Sequence, residues 1–257
     1  MSSTISSISR FGVTEPFELQ VARGQIMGHR SFQVFGYNPD VDTSEESIWP
    51  DGGVVPHPTV ASVLDIVSTS VDDDGSPAGT GARTVYIEGV DGDYNIVSEI
   101  VVLNGTTDVE TVNSYLYINQ FYVATAGSGG ANAGEITAKL DTTLYDLIAV
   151  GFNNRTTAHY CVPAGYTAYM TEGIITTGQA SGSTSVTAYL KQHGPDGLVR
   201  VGAVSTLNNG SVQYDFNPPY RVDEKNCIGA TAIGSANNNS ASAFFNLILI
   251  KNDGSTA

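Results

Sequence analysis

The chain is poor in charged residues and in long apolar runs, and both shortages exclude classes of protein. Only 14% of the 257 residues are charged, against about a quarter in an average soluble domain. Long amphipathic helices need a charged outer face, so the composition does not favour them. No apolar run approaches the roughly 20 residues that span a bilayer. Glycine, with 28 residues, and other small uncharged residues favour closely spaced strands and tight turns instead.

Positive charge is scarce as well. Eleven lysines and arginines stand against 26 acidic residues, which gives a net charge of −15. Binding to a nucleic-acid backbone needs clustered basic residues that displace counterions, and the sequence contains no basic run. We therefore expect neither nucleic acid nor a membrane as a direct partner.

Cysteine and histidine are few and scattered. Cys161 and Cys227 lie in no CxxC spacing, and each is next to apolar residues, so we expect two unpaired, buried thiols. The histidines show no HxH or HExxH spacing and would form a metal site only if the fold gathered them. They are His29, His57, His159 and His193. From the sequence we expect no metal and no other cofactor.

Local motifs of catalysis are missing too. The sequence has no GxSxG nucleophile elbow, no GxxxxGK phosphate loop and no GxGxxG after a strand. It therefore predicts a protein that is not an enzyme, with no catalytic residues. A glycosidase carboxylate pair would be defined only by its separation in the fold. The 13 tyrosines could stack on sugar rings, but tyrosines that alternate along strands usually pack within a sheet.

Two acidic stretches resemble cation sites only in part. Asp91, Asp93 and Asn95 match the first ligand positions of an EF-hand, but Ile96 stands where its glycine belongs. We interpret this stretch as a hairpin turn. The run at 72–74 predicts a solvated loop; the alternative is that such loops meet at an oligomer axis and hold a cation.

Short apolar runs at roughly ten-residue spacing, separated by turn residues, predict an all-β fold. RTVYIEGV (83–90) and IVSEIVVLNG (96–105) flank a DGDYN turn and indicate a hairpin. We expect an extended N-terminal arm at 1–59, followed by two antiparallel, jelly-roll-like β-sandwich domains at 60–138 and 139–257.

The N-terminal tract is irregular. Its apolar residues come in short bursts that four prolines interrupt, so it does not read as a self-sufficient sheet. We expect the first 15 residues to form a flexible or docking arm. The rest of the tract needs pockets for its side chains, either on its own body or on a partner, and we expect many contacts with neighbouring subunits. Removing residues 1–50 should then leave a soluble β-rich body. The candidate interface residues are Phe32, Phe35, Tyr37 and Trp49.

Two apolar strands lack charged residues that would protect a free edge. These are SYLYINQFYVAT (114–125) and FFNLILI (244–250). An exposed edge of this composition invites aggregation, so a partner subunit is expected to cover it. The sequence thus favours a homo-oligomer.

VARGxxxGHxxFxxFGYNPD (21–40) followed by IWPDGG (48–53) resembles the N-terminal region of structural proteins of tailed, mostly marine, bacteriophages. The block from GARTVYIEGVDGDYN to GGANAGEI (81–136) is similar to theirs as well, and VPAGYTAYMTEGII (162–175) more weakly. The resemblance covers about the first 140 residues. Its motifs are turn and core residues, with no catalytic residue to carry over.

The resemblance implies a virion component that is assembled in the cytoplasm of a bacterial host. A capsid decoration (cement) or minor capsid protein is expected, with copies of itself and the major capsid protein as partners. A trimer is favoured, because accessory sandwiches of such shells often gather around three-fold positions. The alternatives are a tail component, such as an adaptor or fibre-base protein, and a host-glycan receptor-binding protein or depolymerase.

Overall fold

The computed structural model describes residues 9–10, 13–179, 182 and 184–252, and within these residues the protein is all-β. Residues 1–8, 11 and 12 of the predicted docking arm lie outside them. All strand pairs are antiparallel. The elements are β1 (Ser9–Arg10), β2 (Val13–Thr14), α1 (Phe17–Ala22), β3 (His29–Val41), β4 (Glu46–Ser47), β5 (Asp65–Ser68), β6 (Ala82–Val90), β7 (Ile96–Val102), β8 (Val109–Glu110), β9 (Tyr117–Ala126), β10 (Ile136–Leu140), β11 (Thr143–Ile148), β12 (His159–Cys161), β13 (Tyr166–Gly178), β14 (Val186–His193), β15 (Val199–Leu207), β16 (Gly210–Val222), β17 (Cys227–Gly234) and β18 (Asn239–Lys251).

The first unit consists of two small sheets around one apolar core. Their strand orders are β11-β10-β5-β8 and β7-β6-β9. Alternate residues of a strand point to opposite faces, and here one face of each sheet is apolar. Ile66, Ile87, Phe121 and Ile136 are all fully buried between the two sheets.

The predicted hairpin in this unit is confirmed. β6 pairs with β7 in register from Thr84–Val102 to Val90–Ile96. The Asp91 carboxylate accepts hydrogen bonds from the backbone N–H of Asp93 and of Asn95, so its oxygens close the turn.

The first unit ends later than expected. β10 pairs with β5, and β11 pairs with β10, so both strands belong to the first unit and its last strand ends at Ile148. The sequence analysis placed the boundary at residue 138 because the glycine-rich stretch at 126–134 reads as a linker. That stretch is instead an internal loop, which Asp73 holds in place.

Asp73 corrects the prediction of a solvated acidic loop at 72–74. Its side chain is fully buried and accepts four hydrogen bonds from three parts of the chain. Oδ1 accepts from the N–H of Ala82 and Ala133, and Oδ2 accepts from Ser68 Oγ and the N–H of Gly134. Its two neighbours in the acidic run are more accessible.

The second unit also has two sheets around one core. Their orders are β12-β17-β14-β15, with β4 added against β17, and β16-β13-β18-β3. Met170, Leu190, Ile228 and Phe245 lie in the core between them. The strands from β12 onward come from the region predicted as the second domain, whereas β3 and β4 come from the predicted arm. Two antiparallel sheets around one core are thus seen in both units; the finer jelly-roll topology stays a prediction.

The N-terminal tract is therefore not a detached arm. β3 pairs with β18 from His29–Ile250 to Val41–Asn239, and Pro39 is tolerated because β3 is an edge strand. Removing residues 1–50 would take β3 and β4 out of the two sheets of the second unit, together with part of the core, so the expectation of an intact body after this deletion is corrected. FFNLILI lies in β18. This strand has no free edge, because β3 pairs with one side of it and β13 with the other.

Candidate functional site

The two units meet on the outer face of the sheet that contains β12, β17 and β14. Residues directly opposite each other on neighbouring strands share a face. Cys161 of β12 lies opposite Cys227 of β17, which lies opposite His193 of β14. His159 is two residues before Cys161 and thus on the same face. This face of the sheet therefore presents the sulfurs of Cys161 and Cys227 and the imidazoles of His159 and His193 toward the first unit.

The two cysteines form a disulfide, which corrects the prediction of unpaired thiols. The Cα atoms of Cys161 and Cys227 are 3.9 Å apart, and both side chains are buried. The sequence analysis treated them as independent because 66 positions separate them. Only the pairing of β12 with β17 brings them together.

A third histidine reaches this cluster from the loop between β4 and β5. The rings of His57 and His193 are stacked with centroids 3.9 Å apart, and the rings of His57 and His159 meet edge to face at 5.5 Å. The Tyr117 ring is 5.5 Å from that of His159. The fold thus gathers His57, His159 and His193, whereas His29 lies elsewhere, at the start of β3.

Burial keeps these imidazoles neutral. It lowers the pKa of His57 to about 4, with a further contribution from the charge of His193. Burial likewise places the pKa of His159 well below its usual value, and it lowers that of His193. Neutral imidazole is the form that binds metal ions.

A cleft opens beside the cluster. It has a volume of about 480 Å³ and lies between the turn that follows β6 and the turn that follows β14. Tyr94, Tyr117, His57 and His193 are among its lining residues. Burial raises the pKa of Tyr94 above its usual value, so its hydroxyl stays protonated at neutral pH. The cleft therefore offers aromatic faces and neutral polar groups.

A buried ion pair fastens the first unit to this junction. Asp146 of β11 is fully buried and pairs with Arg155, which is almost fully buried. Arg155 Nη1 also donates hydrogen bonds to the carbonyl oxygens of Asn119 (2.7 Å) and His159 (3.2 Å). Thr157 Oγ1 donates to Asp146 at 2.6 Å. Burial raises the pKa of Asp146, while Arg155 and Thr157 oppose that effect.

The four predicted interface residues differ in how accessible they are to a partner. Phe32 and Phe35 line a groove of about 570 Å³ between β3 and the first unit, and Phe35 is 45% exposed. Tyr37 is half-buried. Trp49 is only 2% exposed in the single chain, and its indole N–H donates to the Gly52 carbonyl at 2.7 Å. A partner would reach little of the Trp49 side chain, so among the four candidate interface residues it is the one that the structure favours least.

A further surface lies along β15, the outer strand of the sheet that carries the cysteines. Val199, Val201 and Val204 are each at least half exposed. Val201 lies opposite Lys191 and Val204 opposite Tyr189, so these valines occupy the outer face of the sheet. Among the described residues, no strand pairs with the free side of β15.

The sequence analysis missed the histidine cluster and the valine surface for different reasons. The His-x-Cys spacing at 159–161 was a usable signal, since alternate strand residues share a face. The partners from β14, β17 and the loop before β5 depend on long-range pairing. VRVGAVSTL (199–207) is one of the short apolar runs from which the sequence predicts strands, but its position at the edge of a sheet depends on the strand order.

No protein-family model matches the chain, and no curated protein does. Among solved structures, one of infectious bursal disease virus, Gx strain, is 11% identical over 89% of this chain and 73% of that chain, with a TM-score of 0.24. The VP2 subviral particle of the same virus is 8% identical over 89% and 73%, with a TM-score of 0.21. Scores at this level do not establish a shared fold. No helix within the described residues is long and apolar enough to cross a membrane.

Proposed function

We propose that this chain is a non-enzymatic structural protein of a tailed-phage particle, in the role of a capsid decoration or minor capsid protein. Its action is mechanical: it assembles with copies of itself and with other virion proteins, such as the major capsid protein, and stabilises the particle through these interfaces. The observation that carries the proposal is the uncovered apolar edge formed by β15.

The sequence of β15 shows why this edge favours a partner. Edge strands of monomeric proteins are usually protected by lysine, proline or a covering segment. β15 carries Arg200 as its charged residue and exposes three valines on one face. β16, the edge of the facing sheet, contains Pro218 and Pro219 and is protected by them. β15 is therefore an apolar edge without such protection, and a neighbouring subunit that covers it removes the aggregation hazard.

The resemblance to tailed-phage structural proteins is the reason why we propose a tailed-phage particle. It rests on turn and core residues, such as the buried Val85 and Ile87 of β6 within GARTVYIEGV. A closed symmetric oligomer fits an edge of this kind, because one patch is used repeatedly by identical subunits. A trimer is the order that we propose.

Replacing Val201 and Val204 together by lysine should weaken self-association at least about tenfold, a change of about 1.4 kcal/mol. Two charges would then have to be buried, unpaired, between subunits. Sedimentation velocity over a concentration series measures the effect. Val112→Lys is the matched control, because Val112 is 88% exposed on the first unit, away from β15. A wild-type protein that stays monomeric at all concentrations, or a double variant that associates like the wild type, would refute the proposed interface.

A host-glycan receptor-binding protein is the second candidate, favoured by the aromatic rings in the cleft beside Tyr94 and Tyr117. Aromatic faces are suited to stacking on sugar rings, and polar groups at the rim suit their hydroxyls. Titration with host surface polysaccharide, followed by NMR, separates the two candidates. Binding that Tyr94→Ala abolishes would favour this role. A tail component is distinguished from a decoration protein by its lower copy number in the particle.

A further inference from the structure

We propose that the junction of the two units, when its disulfide is reduced, binds one Zn²⁺ through the thiolates of Cys161 and Cys227 and the imidazole of His159. This inference is independent of the proposed virion role. It concerns three buried side chains that the strand pairing places together on one face.

These donors lie close enough to share one tetrahedral ion once the disulfide is reduced and its two sulfurs separate. One ligand atom of each of the three residues lies within 4.8 Å of the others. His159 Nε2 is 3.9 Å from Cys161 Sγ. Zinc binds sulfur at about 2.3 Å and nitrogen at about 2.0 Å, which places two neighbouring ligands roughly 3.5 Å apart. Gly229 lies opposite His159, and a Cβ there would be 3.3 Å from the His159 ring. The absence of a side chain at Gly229 therefore leaves room for the His159 ring.

We assign the fourth position to His57, whose ring adjoins that of His159 but whose ligand atoms would have to move closer, since the atoms within 4.8 Å of one another belong to His159, Cys161 and Cys227. Its ring meets that of His159 at an interplanar angle of 64°, an arrangement that suits two imidazoles on one ion. The buried Nδ1 of His57 has no hydrogen-bond partner among the described residues. This nitrogen is therefore available as a metal ligand. Cys₂His₂ is a common ligand set of structural zinc sites.

The conversion of the disulfide form into the zinc-bound form is balanced in electrons and protons. A dithiol reductant transfers two electrons and two protons to the disulfide, giving two cysteine thiols and the oxidised reductant. Zinc then replaces the two thiol protons, which are released to solvent. The oxidised form joins β12 to β17 through the disulfide, and the reduced form joins them through the metal. Reducing compartments, such as a bacterial cytoplasm, favour the second form.

The test starts from protein produced in a reducing bacterial cytoplasm and purified without oxygen. Native mass spectrometry should show one zinc ion per chain, and oxidation to the disulfide should release it. Cobalt(II) added in place of zinc should give the absorption of tetrahedral thiolate coordination. The double variant Cys161→Ser with Cys227→Ser should show neither signal.

The histidine variants decide the remaining ligands. His159→Gln should lower the zinc affinity at least about tenfold, the smallest loss that even an outer-shell partner of a metal causes. His57→Gln should also lower it and should change the cobalt spectrum. His29→Gln is the matched control, because His29 lies outside the cluster. Circular dichroism confirms that each variant is folded.

Three results would overturn the inference. The first is protein whose two cysteines are shown to be thiols, after reduction by a dithiol where necessary, and that still binds no zinc. The second is zinc binding that survives the loss of both cysteines. The third is an unchanged affinity in a folded His159→Gln variant.

Discussion

Replacing Asp73 by alanine is expected to lower the free energy of unfolding by about 3 to 5 kcal/mol. The buried carboxylate accepts backbone N–H groups of Ala82, Ala133 and Gly134 together with the hydroxyl of Ser68. Without it, three backbone donors lose their partner; two of them are buried, and each buried loss costs about 1 to 3 kcal/mol. The glycine-rich loop at 126–134 would also lose one of its attachments to the chain around β5 and β6. Urea unfolding at neutral pH measures the change.

Asp72→Ala is the matched control, because Asp72 is the exposed neighbour in the same acidic run and should change stability by no more than about 0.5 kcal/mol. Asp73→Asn should resemble Asp73→Ala, since an amide NH₂ would then face donors. Equal unfolding midpoints for Asp73→Ala and Asp72→Ala would show that the carboxylate does not organise this loop.

Replacing Arg155 by methionine is expected to lower the free energy of unfolding by about 3 to 5 kcal/mol. The change leaves Asp146 fully buried without its counter-charge. It also removes the hydrogen bonds to the carbonyl oxygens of Asn119 and His159, which join the first unit to β12. Thermal and urea unfolding should show the loss.

A double-mutant cycle separates the ion pair from packing. Asp146→Asn combined with Arg155→Met should be more stable than Arg155→Met alone, because the isolated charge is gone. Arg221→Met is the control at an exposed pair, Arg221 with Asp223, whose side chains are both more than half exposed; it should cost about 0 to 1 kcal/mol. If both arginine variants lose the same small amount, the junction does not depend on the buried pair.

Local sequence signals predicted where the strands lie, but not which segments contact each other in the fold. The alternation of RTVYIEGV and the Asp91 turn predicted a hairpin that the structure confirms, because turn chemistry and period-two patterning act over a few residues. The acidic run at 72–74 reads as solvated by composition. Asp73 is nevertheless buried, because the start of β6 and the glycine-rich loop bring their N–H groups to it.

The N-terminal tract shows the same division. Its apolar bursts indicated that it needs pockets, but the sequence did not say on which molecule they lie. The structure places β3 against β18 of the same chain, and it also buries Trp49, which follows β4. The cluster of His57, His159 and His193 likewise requires a sheet, a loop and a second unit to form. Spacing along the sequence carries no information about such contacts.

The most direct test of the central claim is a cryo-EM map of the tailed-phage particles to which we propose that this chain belongs. The structural account predicts many copies in a symmetric arrangement on the particle, with β15 of each copy covered by a neighbouring subunit. Absence of the chain from the particle, or copies whose exposed valines 199, 201 and 204 all face solvent, would contradict it.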